Sequence, residues 1–118
     1  MAYHNQLGKE GEIKARSYLE TKGYSIKDQN WKFGKKEVDI VAYKNQTVVI
    51  VEVKTRSNPT NEIDEIITPA KESHLIEAAN AYMESQPENY DCRIDLILLH
   101  KKEGNFEVIH IENAISQA

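Results

Sequence analysis

The chain has 118 residues, 40% hydrophobic and 29% charged, with a formal net charge of -4. That length supports one domain with its own core, expected to span residues 1–118, and the composition is that of an ordinary globular protein. No apolar run approaches the roughly 20 residues that cross a bilayer, Met1–Gln6 lacks a signal-peptide core, and Cys92 is the single cysteine, which excludes an internal disulfide and a multi-cysteine zinc site. A cytoplasmic protein without a membrane partner is the expectation.

From Asn5 to Lys22 the small and apolar positions Gly8, Gly11, Ala15 and Leu19 recur at helical spacing, and Gly23 supplies a stop. Glycines inside a helix cost roughly 1 kcal/mol each, so their presence predicts close packing of this helix on a sheet. Glu12 lies on the same stripe, where an apolar residue is expected; it either points inward toward other polar groups or is a first-turn acid favoured by the helix dipole. Tyr24–Trp31 reads as a short strand and 32–36 as a basic turn.

The next two arms, Glu37–Tyr43 and Thr47–Thr55, form a hairpin if Asn45-Gln46 is a two-residue turn. Paired residue numbers then sum to 91, so Asp39 lies opposite Glu52, with Cβ atoms about 4.5–5.5 Å apart. By the strand period of two, one face carries Glu37, Asp39, Val41 and Tyr43 with Val48, Ile50, Glu52 and Lys54, and the other carries Val38, Ile40, Ala42, Val49, Val51 and Val53. Two carboxylates about 5 Å apart repel by roughly 3 kcal/mol at an effective dielectric of 20, a cost that a divalent cation would reverse. An ion pair between Lys54 and one of the acids explains the same pattern without a ligand. Gln tolerates positive φ less readily than Gly, so the register rests on an uncommon turn.

Residues 57–67 read as a long, mobile loop. Thr68-Pro69 is a helix start, a capping hydroxyl followed by proline at the first helical position, and the helix continues to Ser85 with Leu75, Ala78, Ala79 and Tyr82 as its buried stripe. Lys71 falls on that stripe, free either to meet a phosphate or carboxylate or to extend its stem to solvent. Arg93–His100 and Phe106–Ile111 are the last strands; Asp95 interrupts the first as a helper for a lysine or as an edge or end position, and Cys92 reads as the start of that strand. The histidines show no metal-binding spacing. The order α-β-β-β-α-β-β predicts an α/β domain, a mixed sheet flanked by helices.

Charge is unevenly distributed. Residues 1–58 hold eleven Lys or Arg against seven Asp or Glu, a balance of +4, while residues 59–118 hold four against twelve, a balance of -8. The basic half is the half with the paired acids, and its cations could steer a polyanion toward them.

Gly8-Lys9-Glu10-Gly11-Glu12, Gly23-Tyr24, Asn30-Trp31, Glu37-Val38-Asp39-Ile40-Val41-Ala42, Val51-Glu52-Val53-Lys54-Thr55-Arg56, Lys71 with Leu75, and His110-Ile111-Glu112-Asn113-Ala114 together resemble the YraN-like family of small bacterial proteins. That family looks like a branch of the PD-(D/E)xK nucleases, with a restriction-endonuclease-like fold close in outline to archaeal Holliday-junction resolvases. The resemblance implies that Asp39, Glu52 and the Val53 carbonyl hold Mg²⁺ or Mn²⁺, with Glu12 in the metal shell, and that Lys54 orients or activates the attacking water. It also implies a DNA endonuclease for branched or single-stranded substrates and suggests a homodimer; Lys35, Lys36 and Arg56 of the basic half and Lys71 of the second helix are the candidates to face the DNA. The alternative is an inactive nucleic-acid-binding or adaptor domain on the same fold. Lys36 stands where the family commonly has glycine.

Overall fold

The computed structural model describes residues 2–57 and 67–116, with side chains from residue 6 onward. Most of the loop read as mobile, and the His4 side chain, lie outside the described residues. The elements are α1 (Ala2–Thr21), β1 (Ser25–Phe33), β2 (Lys36–Lys44), β3 (Thr47–Arg56), α2 (Pro69–Met83), β4 (Asp91–Lys102) and β5 (Asn105–Ile111), the predicted order. One five-stranded sheet runs β1-β2-β3-β4-β5. β3 and β4 pair in parallel, and the other three pairings are antiparallel.

Local chemistry explains the boundaries. At the end of α1, Tyr24 N–H bonds Leu19 O at 3.0 Å and Gly23 N–H bonds Glu20 O at 3.1 Å, with Gly23 at φ 92°, the left-handed cap that glycine adopts without strain. Thr68 caps α2 through a 3.2 Å bond from Lys71 N–H to its hydroxyl, with Pro69 at the first helical position. This helix ends at Met83, two residues before the predicted Ser85, because its exit tightens into bonds from Ser85 N–H to Tyr82 O and from Gln86 N–H to Met83 O. The basic turn expected over 32–36 is only Gly34-Lys35, since Phe33 already pairs with Lys36. Asn45 and Gln46 both take positive φ, 51° and 59°, so the two-residue turn forms and Lys44 pairs with Thr47.

The two faces of the sheet carry separate cores. Ala15 and Leu19 of α1 pack with Tyr24, Ile40, Ala42, Val49, Val51, Ile97 and Leu99. Leu75, Ala78, Ala79 and Tyr82 of α2 pack with Val41, Val48, Ile50, Ile94 and Leu96. Val38 departs from the predicted alternation and joins the α2 core. The regular β2–β3 ladder reaches only to Ile40–Val51, and beyond it Asp39 accepts the Val53 N–H through its side chain, so the period of two no longer holds there.

Asp95 is neither an edge residue nor a helper for a lysine. It lies in β4 beside β3 and is 1% exposed, held by Arg93 Nε at 2.8 Å, Arg93 Nη2 at 2.9 Å, His110 Nε2 at 2.7 Å and Asn113 N–H at 2.9 Å. Arg93 also donates to the Tyr24 hydroxyl, and His110 meets the Tyr18 hydroxyl through Nδ1. This satisfied network ties α1, β4, β5 and the turn after β5 together.

The helical glycines differ. A Cβ on Gly11 would collide with Thr55 Oγ1 and press Leu99 at 3.2 Å, whereas one on Gly8 meets nothing within 4 Å. Close packing therefore explains Gly11 alone. Gly11→Ala should destabilise by about 1–3 kcal/mol, and Gly8→Ala should stabilise by roughly 0.5–1 kcal/mol. Urea unfolding of both variants checks this; equal shifts would contradict the packing account.

Candidate functional site

The hairpin register brings Asp39 and Glu52 together where the ladder gives out. Every pair from Lys44–Thr47 to Ile40–Val51 keeps the predicted sum, and the next two positions inward along the arms are Asp39 and Glu52. There Asp39 Oδ2 accepts the Val53 N–H at 2.8 Å. Glu52 is 2% exposed, and two lysines converge on its Oε2: Lys54 Nζ at 3.4 Å, from two residues along the strand, and Lys71 Nζ at 3.2 Å, from the first turn of α2. The ion pair foreseen for Lys54 exists, and Lys71 reaches the carboxylate rather than extending into solvent alone.

Burial first, and then the Glu52 charge, push Asp39 up to about 7, against the pull of the Val53 N–H; Glu12 adds a smaller push. Glu12, half-buried on α1, is itself raised by burial and by the charges of Glu37 and Glu52. Glu12 is therefore within electrostatic reach of the pair. Among the described residues no group of three or more His, Cys, Asp or Glu side chains is arranged to hold a metal ion. Any ion here would rest on two carboxylates, the backbone and water. That donor set suits Mg²⁺ or Mn²⁺, which take oxygen ligands and keep several waters.

A cleft of about 370 Å³ opens beside the acids, lined by Lys36, Glu37, Asp39, Ala70, Lys71 and His74. Of the cations singled out for nucleic acid, Lys36 and Lys71 line it. Lys35 is exposed at the β1–β2 turn, and Arg56 is exposed at the end of β3, its Nη1 donating to Thr55 O at 3.4 Å. The exposed Lys32–Glu37 pair at 3.1 Å adds little.

His74 escaped the sequence reading, which looked only for histidine pairs. Its helical spacing held a usable signal: it lies three residues after Lys71, on the same side of α2, one turn further from the Thr68 cap.

Asp39 binds its proton more tightly folded than unfolded. The metal-free protein should therefore lose stability as pH rises from about 4 to about 7, by on the order of 2–4 kcal/mol. Asp39→Asn, which can still accept the Val53 N–H, should be more stable than the parent chain near pH 8 and lose that advantage near pH 4. Urea unfolding in a chelator measures the difference; a pH-independent one would contradict the raised carboxyl.

Residues 11–99 match the model of a family described as uncharacterised protein family UPF0102. A UPF0102 protein of Flavobacterium psychrophilum is 43% identical over 115 residues, 97% of either chain. One of Bacteroides thetaiotaomicron is 44% identical over 115 residues, 97% of this chain and 95% of the relative. Among solved structures, Pyrococcus furiosus SfsA in complex with Ca²⁺ shares 15% sequence identity at a TM-score of 0.41, over 96% of this chain and 65% of that one. With identities above 40% over nearly the whole of both sequences, the chain belongs to the YraN-like family UPF0102.

Proposed function

We propose that this protein is a Mg²⁺- or Mn²⁺-dependent endonuclease that hydrolyses phosphodiester bonds in branched or single-stranded DNA. The observation that carries the reading is the juxtaposition of two largely buried acids, Asp39 and Glu52, with Lys54 and Lys71 against them. A carboxylate pair that raises one member to about 7 is costly when both members are ionised, a cost that a divalent cation would relieve. When bound, the metal would polarise a phosphoryl oxygen and lower the pKa of water.

The chain's own residues supply the rest. Asp39 and Glu52 would hold the ion with the Val53 carbonyl, and Val53 N–H fixes the Asp39 carboxylate. Glu12 would add negative field and a further acceptor for water beside them. Lys54 orients the attacking water and stabilises charge on the phosphorane. Lys36 and Lys71 draw the strand into the cleft, and the exposed Lys35 and Arg56 add to the basic surface. The setting is the cytoplasm, and a homodimer would present two sites to two strands.

The rival reading, a non-catalytic nucleic-acid-binding or adaptor domain, has one observation in its favour: Glu52 is already paired with two lysines. Purified protein incubated with branched, flap and single-stranded DNA in Mg²⁺ or Mn²⁺ separates the two. Cleavage is expected, and Asp39→Ala or Glu52→Ala should reduce it at least about a hundredfold, because the Lewis-acid contribution is several kcal/mol. Metal-dependent cutting that survives both substitutions would falsify the assignment, and DNA binding without turnover would favour the rival.

A further inference from the structure

His74 is 4% exposed, yet neither ring nitrogen has a hydrogen-bond partner among the described residues. Buried polar side chains are nearly always paired, so an unpaired one on the wall of a cleft is a group held ready for something else. The cleft it lines has Lys36 on the β2 side, with Ala70 and Lys71 from the start of α2. Burial lowers the ring's pKa, and Lys71 and Lys36 lower it further, so the imidazole is neutral with one N–H to donate. The Glu37 backbone, which approaches the ring without completing a hydrogen bond, and the Glu52 charge pull the other way, more weakly than burial.

This donor set selects an anion. Two ammonium groups repel a cation from the ring, while the N-terminal end of α2 adds the positive end of the helix dipole. Asp39 and Glu37 line the same cleft, so an anion sits where His74, Lys36 and Lys71 outweigh them.

We propose that His74, with Lys36 and Lys71, forms a phosphate subsite that takes a backbone phosphate of the nucleic-acid substrate beside the Asp39–Glu52 pair. It deepens the nuclease reading and rests on it for the identity of the substrate. His74 supplies a directional hydrogen bond, and the two lysines supply charge that also attracts other anions.

Binding of inorganic phosphate and of a 5′-phosphorylated dinucleotide, measured in a chelator, tests the subsite apart from catalysis. The His74 ring resonances should shift saturably with either probe, and His74→Leu should weaken dinucleotide binding roughly tenfold, the usual effect of losing a hydrogen bond to a charged group. Because leucine removes an unpaired buried polar group, that variant should melt no lower than the parent chain. Lys27→Ala, near the β2–β3 turn at the far end of the sheet, should leave dinucleotide binding unchanged. Ring resonances that stay put at saturating probe, or unchanged affinity in a folded His74→Leu, would overturn the subsite even if the protein cuts DNA. Saturable, His74-dependent binding in a protein that never cuts would uphold the subsite and sink the nuclease reading instead.

Discussion

Parallel pairing of β3 with β4, from Thr47–Asp91 to Arg56–His100, is the constraint on which the molecule depends. Two parallel strands cannot be joined by a tight turn, so the chain must return across a face of the sheet, and α2 is part of that return. The crossover covers the face that carries Val41, Val48 and Ile50 and sets the first turn of α2 over the end of the β2–β3 hairpin. α1 covers the other face, at a distance set by Gly11 against Thr55. Both helices thus reach the place where the hairpin ladder stops.

At that place the electrostatics are deliberately unbalanced. Asp39 gives up a regular ladder position to accept Val53 N–H, and its carboxyl is pushed up to about 7 by burial and by Glu52. Glu52 is buried but offset by two cations, so the negative charge is concentrated without being cancelled evenly. The Asp95 network shows how the same chain treats a buried acid that is structural: an arginine, a histidine and a backbone N–H meet its two oxygens, and its carboxyl is held below the usual range. One acid is satisfied and the other strained, which is the contrast expected between scaffold and site.

Features set by neighbours in the chain were legible. The Asn45-Gln46 turn sets the hairpin register, and the Thr68-Pro69 cap sets the start of α2; each uses residues a few positions apart. Asp39 and Glu52 are the next residues beyond that register, although the ladder itself stops at Ile40–Val51. Val38 broke the alternation because Asp39 abandoned the ladder, an event that depends on where its carboxylate goes rather than on its position in a strand. Asp95 was misread because Arg93 lies close by in sequence, but Tyr24, His110 and Asn113 do not.

The sequence by itself therefore determined the elements, the hairpin register, the paired acids and the basic bias of the first half, since these follow from short-range sterics, side-chain periodicity and composition. Only the tertiary structure decided that Lys71 meets Glu52, that Gly11 and not Gly8 carries the close approach, that Asp39 is strained while Asp95 is satisfied, and that His74 lines the cleft unpaired. Each of those depends on burial and on contacts between elements distant in sequence. A side chain's desolvation and partners are properties of the packed molecule, not of its neighbours along the chain.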